Sequence, residues 1–353
     1  MSREPRGLVT SALEAWLRSE HPELVGEPEL DATLITGGRS NLTYRLLGGP
    51  SPLVLRRPPL GHVLASAHDM AREFRVISAL GGSTVPVPES VLYRDDTDGS
   101  AGVGTPFYLM GLVDGQVLSS PAANSPFSHA QLRTLSLDLV EILAELHSID
   151  PASVGLEDFG RAAGYLERQV RRWGEQYDKS RNRELPQLDA LQAALRENVP
   201  ITVSSSLVHG DFRLDNAIVR VAADGRPRIA AILDWEMATI GDSFTDLGLL
   251  GLYWDIRSIS EQAAAVAASA VDPAAGYPSF AELLDAYAGA RGTAVPELSW
   301  YLAFAAYKLA IILEGIHMRF QAGETVGPGF DTIGGLVTPL AQAGLRSLAE
   351  RTP

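Results

Sequence analysis

Two aspartates and an asparagine, carried on turns beside short apolar runs, constrain this chain more than any other feature. The first aspartate lies in Val208-His209-Gly210-Asp211-Phe212-Arg213-Leu214-Asp215-Asn216, a loop followed by the apolar, strand-like run 217–221. The second ends another apolar run, in Ile232-Leu233-Asp234-Trp235-Glu236. Singly, an aspartate in a loop or at a strand end is usually a turn starter or a helix cap. Together, His-x-Asp, then Asn216, then Asp234 after a strand ask for a fold that presents a carboxylate and further oxygen ligands from strand ends.

Phosphoryl transfer uses such a set. It needs a carboxylate that takes or orients the proton of the attacking hydroxyl, and oxygen ligands for the metal ions on the nucleotide. Asp211 is the candidate base, and Asn216 and Asp234 are the candidate Mg²⁺ ligands. The kinase signature H-R-D-L-x-x-x-N is matched here by His209-Gly210-Asp211-Phe212, then three residues, then Asn216. Arg213, two residues after Asp211, stands where a cation would offset charge on the transferred γ-phosphoryl group. A salt bridge to neighbouring Asp215 is the alternative use of the same side chain.

With 353 residues the chain has material for a large core or for two to three lobes. It has no cysteine, so disulfides and thiolate chemistry are excluded. A formal net charge of −14 argues against general binding to nucleic acid or an anionic membrane, and still leaves room for a local basic site for ATP phosphates. Residues 1–7 mix Arg, Glu and Pro with no apolar core, unlike a signal peptide. The nearest approach to a membrane-spanning run, 300–316, contains Lys308 and Glu314 and reads as a buried helix. A cytoplasmic location is expected.

Residues 1–28 carry a helical period (Leu8, Leu13, Trp16, Leu17) that stops near Pro22. From 29 to 113 strands dominate. A strand at 29–35 and another at 42–47 flank Gly37-Gly38-Arg39-Ser40-Asn41. Such a glycine turn lets backbone N–H groups approach phosphates, although between strands Gly-Gly is most often only a hairpin. The next strand, Leu53-Val54-Leu55-Arg56-Arg57, has the shape of the kinase Val-Ala-Ile-Lys strand, with Arg56 at the lysine position. Successive strand residues face opposite ways, so only one of Arg56 and Arg57 can face a cleft. Apolar residues occur on both faces and alternation does not choose; the spacing favours Arg56. A helix over 66–80 carries Met70, Phe74, Ile77 and Leu80, with Glu73 as the candidate ion-pair partner of the strand cation. Strands at 91–93 and 105–113 complete the region. In a two-lobed kinase the end of the last strand, Met110 to Val113, joins the halves and offers backbone groups to adenine, which singles out Met110 and Leu112.

Beyond about residue 119 the period turns helical, at 132–147, 161–177 and 188–195, and later at 263–271, 280–291, 300–321 and 332–348. His147 ends the first of these helices, where a cation suits the dipole, and reads as structural. Gly241-Asp242-Ser243-Phe244-Thr245-Asp246-Leu247 opens a helix through Tyr253. Asp242 and Asp246 cap that helix or tie the catalytic loop in place, a structural role either way.

Through residues 37–41, 54–56, 72–74, 106–110, 209–216, 232–236 and 241–247, the chain resembles the aminoglycoside phosphotransferase and choline kinase superfamily of protein-kinase-like enzymes. Within it, the chain is similar to the branch whose kinase-like domain also occurs fused to acyl-CoA dehydrogenases, echoed in 164–170 and 301–316. The resemblance runs over roughly residues 30–345. It implies an α+β, protein-kinase-like two-lobed fold: an N-terminal helical segment at 1–28, a small antiparallel-sheet lobe with one helix at 29–113, and a larger, mainly helical lobe at 114–353. It implies ATP and Mg²⁺ as cofactors, with Gly37, Gly38, Ser40, Asn41, Arg56, Glu73, Met110 and Leu112 on the nucleotide. The acceptor it implies is a small hydroxylated molecule: an aminoglycoside, a choline-like alcohol or a hydroxyacyl compound. Three departures stand out: Arg56 replaces a lysine and changes the donor geometry, Gly111 stands where a hinge glutamate is common, and no proline follows Asp242. A nucleotide-binding pseudokinase or a scaffold is the competing expectation. Against it, Asp211, Asn216 and Asp234 are all present.

Overall fold

A computed structural model describes residues 4–35, 41–60, 69–202, 205–324 and 330–350; Gly37, Gly38, Arg39 and Ser40 of the glycine turn lie outside the described residues. The chain divides into two compact units. One is Met1–Asp114 with Ala230–Glu236, and the other is Gly115–Ile229 with Met237–Pro353.

The first unit holds α1 (Thr10–Glu20), β1 (Asp31–Leu34), β2 (Leu42–Leu47), β3 (Leu53–Arg57), α2 (Met70–Leu80), β4 (Ser90–Arg94) and β5 (Phe107–Gly111). Its five strands form one antiparallel sheet in the order β1-β2-β3-β5-β4. Strand β3 is apolar on both faces because both are covered. Leu53 and Leu55 share a core with Leu13 and Leu17 of α1, while Arg56 on the opposite face reaches Glu73 of α2. Helix α2 begins with its apolar period at Met70, where Asp69 caps it by accepting the Arg72 N–H at 3.0 Å. Two placements differ from the expected division. The 1–28 segment, expected as a piece of its own, supplies Leu8, Leu13 and Leu17 to the core of this unit. Residues 230–236, expected with the C-terminal part, cluster here, and the Ile232 N–H donates to the Pro86 carbonyl at 2.8 Å.

The second unit runs through β6 (Gln116–Val117), α3 (His129–Ser148), α4 (Tyr165–Ser180), α5 (Pro186–Glu197), β7 (Ser206–Val208), β8 (Ala217–Val221) and β9 (Pro227–Ile232), whose last residues belong to the first unit. It continues with β10 (Thr239–Gly241), α6 (Phe244–Trp254), α7 (Ile256–Ile259), α8 (Glu261–Val266), α9 (Phe280–Arg291), α10 (Ser299–Gln321), α11 (Phe330–Ile333) and α12 (Val337–Ala349). Strand β7 pairs antiparallel with β10, and β8 lies between β6 and β9. The loop 209–216 is thus anchored by a strand at each end. Helix α10 is long and apolar enough to cross a membrane, yet it is mostly buried inside the unit, packed on α12, α6 and α4. The final helical period is split into α11, a short 3₁₀ turn and α12. A Cβ on Gly334 would lie 2.6 Å from the His317 ring, so this close approach to α10 accepts only glycine.

Candidate active site

In the second unit the loop around Asp211 is held through its backbone. Gly210 has φ of 84°, and a Cβ there would lie 2.7 Å from Met237, so only glycine fits. The buried Asp246 carboxylate, on α6, accepts the N–H of His209 at 2.7 Å and of Gly210 at 2.8 Å. On its other side the His147 Nε2 lies 3.2 Å from Asp246 Oδ2, and the His147 Nδ1 is 2.8 Å from the Tyr287 hydroxyl. Burial opposes ionisation of Asp246, but the hydrogen bonds from His147 and the Gly210 N–H outweigh it and hold the carboxyl below its usual value. Burial lowers the His147 pKa despite Asp246. A neutral ring donating from Nε2 and accepting the Tyr287 proton at Nδ1 satisfies every partner. Asp246 is therefore the residue that ties the loop. Asp242, one residue before the α6 N-cap, accepts the Phe244 N–H at 3.0 Å and lies 3.2 Å from the Tyr301 hydroxyl.

Asp211 and Asn216 are brought together. The Asn216 Nδ2 donates to both the backbone carbonyl and the Oδ2 of Asp211, at 2.9 Å each. The Asp211 N–H donates to His209 Nδ1 at 3.2 Å. Arg213 meets a carboxylate and an aromatic ring. Its guanidinium pairs with Asp215 and lies 4.3 Å over the Tyr253 ring. Burial works against the Arg213 charge, but Tyr253, Asp211 and Asp215 raise its pKa. Asp215 is pushed up to about 7 by burial and by Asp211, against the pull of Arg213. The guanidinium is the firmer charge of the two, since three partners favour it.

The first unit carries a second cluster. The Arg56 Nε lies 3.0 and 3.2 Å from the two Glu73 oxygens, and its Nη2 is 2.5 Å from Asp234 Oδ1. Burial opposes the Arg56 charge, yet Glu73, Tyr108, Asp234 and Glu236 raise its pKa. Burial pushes the Glu73 carboxyl up, with Arg56 pulling it back. Asp234 has φ of 67°, in the left-handed region that aspartate tolerates better than most residues. Asn41 donates from Nδ2 to Glu236 at 3.1 Å, a partnership the spacing of the chain did not suggest. Arg57 is spent elsewhere, donating to the Gly7, Val103 and Pro58 carbonyls. Met110 is buried in β5, opposite Val54. The Leu112 N–H is already donated to the Pro52 carbonyl at 3.1 Å, so an adenine-reading role for Leu112 rests on its carbonyl.

Among the described residues no group of three or more His, Cys, Asp or Glu side chains is arranged to hold a metal ion. The Mg²⁺ candidates nonetheless have suitable donors, each in its own unit. Asn216 turns its amide nitrogen to Asp211, leaving its oxygen as a ligand atom. Arg56 takes Oδ1 of Asp234, leaving Oδ2. Hard oxygen donors, few per ion, suit a Mg²⁺ that keeps several waters.

Sequence reading passed over Lys308 except as a charge in an apolar helix. Its Nζ lies 3.5 Å from the Gly210 carbonyl and 5.4 Å over the Trp173 ring. A single lysine within the apolar stretch 300–313 was the available signal.

A sequence model of the phosphotransferase enzyme family matches residues 31–313, a span that contains every candidate residue above. The chain belongs to the phosphotransferase enzyme family. The chain is 34% identical, over 355 residues, to "Acyl-CoA dehydrogenase family member 11" of Pongo abelii, covering 97% of this chain and 43% of that protein. It thus spans less than half the length of the first curated relatives it matches. It is also similar to the crystal structure of a "putative aminoglycoside phosphotransferase" from Ralstonia eutropha, at 30% identity and a TM-score of 0.82, over 98% of this chain and 100% of that one. A thermostable mutant of aminoglycoside phosphotransferase APH(4)-Ia, solved as a ternary complex with AMP-PNP and hygromycin B, shares the fold at 14% identity and a TM-score of 0.62, over 97% and 100% of the two chains. The chain therefore has the expected protein-kinase-like α+β fold, an antiparallel sheet with a largely helical remainder.

Proposed function

We propose that this protein is an ATP-dependent small-molecule kinase that moves the γ-phosphoryl group to a hydroxyl of its acceptor. The observation that carries the reading is the hold of Asn216 on both the main chain and the carboxylate of Asp211, in a loop whose backbone is tied by Asp246. A carboxylate fixed before substrate arrives is what positioned proton transfer requires. The nucleotide complex of a protein sharing the fold supports ATP as donor.

In this reading the acceptor oxygen bonds to the γ-phosphorus while the bond from phosphorus to the β–γ bridging oxygen breaks, and ADP leaves. Asp211 receives or orients the hydroxyl proton. Arg56, aimed by Glu73, binds phosphate oxygens through its planar fork. Asn41 contacts the phosphates, Gly37, Gly38 and Ser40 are assigned to them by the family resemblance, and backbone groups at Met110 and Leu112 take the adenine. Mg²⁺ held by Asn216 and Asp234 would supply positive charge to the phosphates.

The test is ADP release over a panel of hydroxylated compounds spanning aminoglycosides, amino alcohols and hydroxyacyl compounds, with Asp211→Asn as the control. Acceptor-dependent ADP release by the parent, lost in the control, supports the kinase. Stabilisation by Mg²⁺-ATP with no release above the control for any acceptor would instead mark a nucleotide-binding pseudokinase.

A further inference from the structure

Lys308 is a cation on a helix made for burial. It lies on α10 among Phe304, Ala305, Leu309 and Ala310, all buried. Its described contacts are a carbonyl and an aromatic face, not a carboxylate. Burial lowers its pKa, and the nearby charges of Asp211 and Asp246 oppose that. Lys308 itself is partly buried, and a lysine drawn partly out of water is costly unless its charge is used. The cost is met at a small pocket lined by Tyr165, Gly210, Thr245, Asp246, Phe304 and Lys308.

The contact falls on one particular peptide group. The carbonyl of Gly210 and the N–H of Asp211 belong to the same plane. Lys308 faces the carbonyl at 3.5 Å, and His209 Nδ1 accepts the N–H at 3.2 Å. The preceding plane is held by Asp246 at the Gly210 N–H, and the following carbonyl by Asn216. Rotation of the Gly210–Asp211 plane would swing the Asp211 side chain directly. Glycine at 210 adds no Cβ to restrain that rotation. A contact of 3.5 Å is long for a hydrogen bond, so the hold comes as much from charge on the carbonyl dipole as from a directed bond.

We propose that Lys308 is a positioning residue of the catalytic loop, fixing the peptide plane that leads into Asp211 and presenting its charge to that carboxylate from α10. The proposal rests on Asp211 being the acceptor-orienting carboxylate of a kinase. The Trp173 ring on α4, 5.4 Å from the ammonium group, gives it a second favourable contact.

The test combines Lys308→Met, Lys308→Arg and the double variant Lys308→Met/Asp211→Asn. Lys308→Met should lower kcat about tenfold to a hundredfold, the cost of a misplaced catalytic group, while the nucleotide KM stays near the parent value. Lys308→Arg should recover part of kcat. The double variant should be no slower than Asp211→Asn alone, because Lys308 acts through Asp211. Equal losses in kcat and nucleotide binding, or losses that multiply in the double variant, would overturn the proposal. Amide hydrogen exchange of residues 207–216 supplies a reading independent of turnover. Faster exchange at Asp211 in Lys308→Met supports the role, and unchanged exchange refutes it. If the parent releases no ADP with any acceptor, the kinase reading falls and the exchange result alone decides the role of Lys308. Should Lys308→Met fail to fold, Lys308→Gln, which keeps a donor and loses the charge, replaces it with the same expected split.

Discussion

Asp246 accepts the backbone N–H of His209 at 2.7 Å, with both residues fully buried. The same carboxylate accepts the Gly210 N–H at 2.8 Å, so one side chain on α6 fixes two successive peptide groups before Asp211. Charge-assisted hydrogen bonds are about twice as strong as neutral ones, and here they act where the loop leaves β7.

Asp246→Asn tests this hold. An amide offers one acceptor oxygen where the carboxylate offers two, and turns an NH₂ group toward a backbone N–H. One buried donor loses its partner, so unfolding free energy should fall by about 2–4 kcal/mol. The readout is a lower urea midpoint at unchanged slope, with reduced kcat. A variant as stable as the parent would mean the loop is held by other groups.

Asp211→Asn keeps the shape of the side chain and removes its charge. Loss of positioned proton transfer should lower kcat about 10²–10⁴-fold, with nucleotide affinity near the parent value. An undiminished kcat, with chemistry shown to be rate-limiting, would remove Asp211 from the reaction.

Arg56→Ala and Arg57→Ala should behave differently. The first strands Glu73, 1% exposed, without its counter-ion, so nucleotide KM should rise and stability fall by about 3–5 kcal/mol. Arg56→Lys should retain partial activity, since it keeps charge and loses the fork. Arg57→Ala loses donors to the Gly7 and Val103 carbonyls and should lower the Tm while leaving nucleotide KM alone. The opposite pattern would move the phosphate cation to Arg57.

Arg213→Met breaks the pair with Asp215 and the stacking on Tyr253. Its effect should therefore be a lower denaturation midpoint with kcat close to the parent. A large fall in kcat at unchanged stability would return Arg213 to the transferred phosphate.

Asp242 sets a pH dependence. Burial pushes its pKa up to about 6, against hydrogen bonds from the Phe244 N–H and the Tyr301 hydroxyl. Its unfolded value is about 3.9. Between these values the native state holds a proton that the unfolded chain has released, so the stability contributed is full below the lower value and lost as pH rises through the upper one. The unfolding free energy of the parent relative to Asp242→Asn should fall by about 3 kcal/mol from about pH 4 to about pH 7. Asp246, whose pKa is lowered, acts in the opposite sense, losing stability as pH falls, but it is present in both proteins and cancels. A flat difference across this window would mean Asp242 titrates normally.

By itself the sequence determined the elements whose residues speak locally. Strands β2, β3 and β8 and helix α9 fall where alternation and the helical period put them, because side-chain period and turn residues are properties of neighbours in the chain. The spacing of His209, Asp211 and Asn216 was legible for the same reason: Asn216 reaches Asp211 across a single short loop. Tertiary structure alone decided the rest. Alternation leaves Arg56 and Arg57 equal on a strand apolar on both faces; spacing favoured Arg56, and Glu73 on one side and the Gly7 and Val103 carbonyls on the other give each arginine its partners. Residues 230–236 read as part of the C-terminal region until Asp234 meets Arg56, 178 positions earlier. Lys308 looked like an interruption in an apolar helix, and its proximity to Gly210, 98 positions away, gives it a use. No local period encodes such pairings. They arise when packing brings distant charges out of water and each must find a partner or remain unsatisfied.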